Sequence, residues 1–213
     1  LSLSLSMLCS LRIASGENGT SDYDKLAHNY VEGPMALRHA TSEAHPPQRG
    51  TSGVASWQAY EKSIGLPLRK WAATELASPK GGTVFYPFSG PDLVTVAQMF
   101  PDADRYVLVA IQPAGPVVNP FAMEEKARWN FLSKFHVEWV KFGALGFFRT
   151  VDLNENTAST TARLTSTPVL MAFAASLGFE IQKVSPLEIR TESGEYEPAD
   201  SQNDPFWRSV RLN

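Results

Sequence analysis

The chain has 213 residues, 43% hydrophobic and 11% aromatic, with a formal net charge of -3 and a single cysteine. That is enough apolar material for one buried core and excludes a disordered, collagen-like or fibrous chain. With no basic excess to neutralise phosphates, no nucleic-acid partner is expected. The lone Cys9 excludes an internal disulfide framework and any zinc site that needs two thiolates.

Residues 1–16 open with alternating Leu and Ser and close on Ala14-Ser15-Gly16. Period two suits an edge strand. The apolar length and the small residues at its end suit the tail of a secretory signal, and an exported chain is the expectation taken from it. The stretch is too short to anchor in a membrane, so no transmembrane segment is expected. Residues 17–56 are rich in Gly, Ser, Thr, His and Pro, and are read as a flexible polar arm that buries too little to offset its ordering entropy. Within it, Asn18-Gly-Thr20 fits a glycosylation sequon.

Residues 57–213 are expected to form a single α/β domain. Trp57, Tyr60 and Ile64 share a helical face; after a break at Gly65-Leu-Pro67, the face continues through Leu68, Trp71, Ala72 and Leu76. Thr83 to Phe88 is a short apolar run without polar alternation, as in a strand covered on both faces. A brief helix from Leu93 to Phe100 and a buried strand from Arg105 to Ile111 follow. This strand–helix–strand order builds parallel sheets through right-handed crossovers.

Asn119 and Pro120 then suit the start of a long helix, on which Phe131, Phe135, Trp139 and Phe142 make one stripe. A loop over 150–167 leads to a helix beginning at Thr167-Pro168 and capped by Gly178. Phe179 to Val184 reads as a strand limited by Pro186, and alternation returns from Phe206. A strand at the very end of the chain asks for a continuation, so the chain is expected to be a piece of something longer. The fold expected is Rossmann-like: a mainly parallel sheet with flanking helices.

The loop Val84-Phe-Tyr-Pro-Phe-Ser-Gly-Pro-Asp92 carries the functional expectation. A strand that ends in such a turn and opens a helix is how open α/β sheets build a ligand crevice, with backbone N–H groups at the helix start favouring an anion or a polar head. The next strand ends at Gln112, which donates and accepts hydrogen bonds without charge. The ligand-binding candidates are therefore Tyr86, Ser89, Gly90, Asp92 and Gln112, facing a small polar molecule whose identity, like any cofactor, the residues do not specify. The plainer alternative is helix-start chemistry: Gly90 as cap, Pro91 at the first helical position and Asp92 in the first turn.

Pro87-Phe-Ser-Gly90 before a helix resembles the first motif of class I methyltransferases, and implies a transferase of that fold. Pro91 stands where that motif has its second glycine, and Gln112 where the ribose-binding acid stands. Phe85-Tyr-Pro-Phe-Ser-Gly-Pro-Asp92, Tyr106-Val-Leu-Val and Gln112-Pro113 are similar to an uncharacterised bacterial family of exported proteins. That resemblance implies an exported α/β protein and supplies no activity.

An alternative enzyme reading makes Ser89 a hydrolase nucleophile at a strand-to-helix elbow with His136 as base, although Pro87 and Pro91 occupy positions where the elbow wants small residues. A purely structural or interaction module is the remaining class, so no catalytic residue is assigned. His39, Glu43 and His45 lie close enough in sequence to ligate a metal but lack a rigid frame, and Glu188, Glu192, Glu195 and Glu197 lack the spacing of a calcium loop. No metal site is expected.

Overall fold

Ser166 to Ala175 is apolar on nearly every side, and a helix of that kind has to lie at the centre of its domain. In a computed structural model, which describes residues 21–33, 52–76, 80–87, 92–109, 114–146, 166–189, 196–198 and 209–212, it does so. The described elements run in chain order α1 (Asp22–Glu32), α2 (Gly53–Tyr60), a π-helical turn (Glu61–Gly65), α3 (Leu66–Glu75), β1 (Thr83–Tyr86), α4 (Leu93–Met99), β2 (Arg105–Leu108) and a 3-10 turn (Pro120–Ala122). They continue with α5 (Glu125–Leu145), the central helix α6 (Ser166–Ser176), β3 (Val184–Ile189), β4 (Tyr196–Pro198) and β5 (Ser209–Leu212). The protein is mostly helical with a small parallel sheet, β1 beside β2.

The core forms where α1, α4 and α5 surround α6 and where α2 lies along α5. Every residue of α6 from Ser166 to Ala175 is buried. The aromatic stripe of α5 is buried as its spacing predicts, with Phe131, Phe135, Trp139 and Phe142 in contact along the helix and Trp139 and Phe142 meeting Phe173 of α6. The helices approach closely at two glycines. A Cβ on Gly53 would come within 1.8 Å of the Val31 carbonyl oxygen, and one on Gly143 within 2.6 Å of that of Ser56. The Gly53 carbonyl also accepts the Trp139 indole N–H at 3.0 Å. At the end of α6, Gly178 is left-handed, with the Gly178 and Phe179 N–H groups bonding back to Ala175 and Ala174. That closes the helix as its glycine predicts.

The structure departs from the expectations at several places. Inside the stretch 17–56, residues 22–32 form α1 and bury Leu26, Ala27, Tyr30 and Val31 against the core. Ser21 caps it, its Oγ accepting the Asp24 N–H at 3.1 Å, and Ser52 caps α2 in the same way.

The expected break at Gly65-Leu-Pro67 is no break: the helix runs from Gly53 to Glu75, and one wider turn absorbs the proline. The Leu66 N–H there bonds to the Glu61 carbonyl five residues back. Pro67, which has no N–H to give, sits at the start of the following turn. Trp71 of the expected apolar face is 49% exposed.

The sheet is not mainly parallel among the described strands. β3, β4 and β5 form an antiparallel sheet in the order β4-β3-β5. Nor is β1 covered on both faces, since Phe85 is 61% exposed, whereas Tyr106, Val107 and Leu108 of β2 are buried.

Residues 179–183 are not a strand. The Ile181 N–H donates to Asp24 Oδ1 at 3.0 Å and its carbonyl accepts from the Ser21 hydroxyl, so both of its backbone groups serve α1 instead of a ladder. β3 begins at Val184 and runs through Pro186, which pairs with Val210. Among the described residues, its pairing with β4 begins at Leu187.

Candidate functional site

β1 and β2 lie parallel with Tyr86 opposite Leu108, and the Val109 N–H donates to the Tyr86 carbonyl at 3.0 Å. α4, joining the two strands, fills the space beneath with Leu93, Val94, Val96 and Ala97. This fixes the carboxyl end of β1 and the start of α4 relative to each other. Across that gap the Tyr86 hydroxyl donates to Asp92 Oδ2 at 3.1 Å.

Asp92 occupies the N-cap position of α4, but its side chain makes no capping bond. Only its backbone carbonyl enters the helix, accepting from Val96 at 3.0 Å. Simple helix-start chemistry therefore does not account for the carboxylate. Burial raises the Asp92 acid above its ordinary value of 3.8, and the Tyr86 hydrogen bond opposes that only in part. The Tyr86 phenol is raised as well, first by burial and then by the Asp92 charge.

Of the candidate residues, Tyr86 and Asp92 are thus brought into contact. Ser89, Gly90 and Gln112 lie outside the described residues, as do the sequon at Asn18 and the trio His39, Glu43 and His45. His136, the candidate base, is half-buried on α5 beside Gly33 at the end of α1, where its ring atoms lie 3.1 Å and 3.3 Å from the place a Cβ on Gly33 would take. Among the described residues, no group of His, Cys, Asp and Glu is arranged to hold a metal ion, and no helix is long and apolar enough to cross a membrane.

A polar network next to this pair escaped the sequence reading. Arg69 of α3 donates to the two Glu61 oxygens at 2.5 Å and 3.3 Å, and to Gln98 Oε1 at 3.1 Å. Gln98, on α4 and buried, donates to Glu61 at 3.2 Å and to the Tyr60 hydroxyl at 3.4 Å. Gly65 leaves room for the cluster: a Cβ there would stand 2.6 Å from Glu61 Oε1 and 2.8 Å from Gln98 Oε1. The Tyr60 phenol is pushed up to about 12, mainly by burial and then by Glu61, with Arg69 opposing and Asp92 adding to the rise. The charge of Asp92 adds the smallest of these effects on Tyr60, and among the described residues Asp92 makes no hydrogen bond to the π-turn network. The sequence signal for it was Pro67 inside an unbroken apolar period, a pattern that a π-turn resolves.

Compared with family models, curated proteins and solved structures, the chain has no match. The site is therefore interpreted from its own chemistry.

Proposed function

We propose that this is an exported protein that binds a small polar ligand at the strand-to-helix loop 86–92, on a Rossmann-like β1–α4–β2 unit. The observation that carries the reading is the Tyr86–Asp92 hydrogen bond at 3.1 Å. It holds a half-buried carboxylate at the carboxyl end of a parallel strand, where open α/β units take their ligands. A carboxylate that neither caps its helix nor pairs with a described cation is a poor stabiliser, and such groups concentrate at functional sites. Ser89 and Gly90, lying between the two in sequence, would add hydroxyl and main-chain donors, and Gln112 a neutral amide. Export rests on the leader-like pattern of residues 1–16.

The negative charge at the head of α4 narrows the ligand. An anion would meet the Asp92 carboxylate, and α4 is a helix of only 7 residues. The group facing Asp92 is instead a hydrogen-bond donor. The test is a small-molecule thermal-shift screen of the full chain beside its Asp92→Asn variant. Compounds that raise the melting temperature of the wild type and lose that effect in the variant support the proposal. A screen in which every stabilising compound acts equally on both proteins overturns it.

A further inference from the structure

We infer that the ligand presents a protonated amine to Asp92, an inference that rests on the ligand-binding reading of the loop. The argument is one of unmatched charge. Asp92 takes the Tyr86 hydroxyl on Oδ2. Among the described residues no other group bonds to it and no ion pair includes it. Asp92 is half-buried, neither sealed in the interior nor fully exposed.

Among the described residues, the cation that acts on Tyr60 alongside Asp92 is already committed. Arg69 acts on Tyr60 together with Asp92, yet its guanidinium is held by Glu61 and Gln98. Glu61 and Arg69 neutralise each other, and among the described residues no ion pair balances Asp92.

A half-buried carboxylate in that position gains most from a ligand that brings its own positive charge and N–H donors, because the pair forms where water screens it poorly. A neutral hydroxyl supplies the hydrogen bond without the charge. An anion supplies neither.

The experiment uses the full chain and three probes of matched length, compared at constant ionic strength: putrescine, butanediol and succinate. The expected result is a melting temperature that climbs with putrescine concentration, stays flat with butanediol and succinate, and loses its response to putrescine in Asp92→Asn. The unliganded Asp92→Asn protein should melt cooperatively at or near the wild-type temperature, which separates a lost putrescine response from a misfolded variant. If butanediol or succinate stabilises the wild type as well as putrescine does, and Asp92→Asn removes that effect, the amine inference falls and the ligand-binding reading stands. If putrescine acts equally on the wild type and Asp92→Asn, the amine inference falls. If no probe and no compound of the wider screen depends on Asp92, both readings fall.

Discussion

The helical centre and the edge at β1 are built by opposite rules. In the centre, α6 is buried all round and the rings of α5 lie one on the next. α2 crosses them so closely that Gly53 and Gly143 leave no space for a methyl group. At the edge, a strand with Phe85 exposed ends in a tyrosine bound to a carboxylate whose charge no described residue balances. The first region holds the fold together. The second keeps a half-buried carboxylate whose burial opposes its charge.

The comparison is broken most severely from the centre. Trp139→Ala removes a fully buried ring and the indole bond to Gly53, and should lower unfolding free energy by about 3–5 kcal/mol in a denaturant titration. Asp24→Ala leaves the Ile181 N–H without its partner and should lose about 1–3 kcal/mol by the same measurement. Tyr86→Phe deletes the part-exposed hydrogen bond to Asp92, worth about 0.5–1.5 kcal/mol. Losses as large as that of Trp139→Ala from the Tyr86 change would erase the distinction between the regions.

Asp92→Asn should have the smallest effect near neutral pH and the most informative pH profile. Its amide oxygen still accepts from Tyr86. The folded acid has a raised pKa, so between the ordinary value of 3.8 and that raised value the native state holds more protons than the unfolded one. The contribution of Asp92 to stability is therefore greatest below that window and declines as pH rises through it. The variant should show a flatter profile there and equal or greater stability above it. Tyr60 and Tyr86, the nearby phenols, are both raised and titrate far above this range, so they do not blur the result.

Much of the centre was legible because its signals are local and periodic. The stripe at Phe131, Phe135, Trp139 and Phe142, the Gly178 cap and the strand–helix–strand order around residue 90 all follow from spacing. α1 was legible in principle: Ser21 stands three residues before Asp24, followed by Leu26, Ala27, Tyr30 and Val31 on one face. The polar composition around it outweighed that short pattern.

Other features were not local. Nothing in residues 179–183 announces that Ser21 and Asp24 will claim the Ile181 backbone. The antiparallel sheet depends on β5 returning to β3 from beyond Arg208, a pairing no short window contains. At the site, the sequence placed Tyr86 and Asp92 near each other, and the fold adds that they bond. The network of Tyr60, Glu61, Arg69 and Gln98 escaped because it joins α2, the π-turn, α3 and α4 through side chains far apart in the chain.

The claim on which the rest depends is that Asp92 is an under-compensated carboxylate. The direct measurement is a pH titration of its side-chain carboxyl carbon by NMR in the isotopically labelled full chain, with and without putrescine. The account predicts a midpoint above the ordinary aspartate value that moves down when the amine is added. A midpoint at or below the ordinary value, unchanged by putrescine, would contradict it.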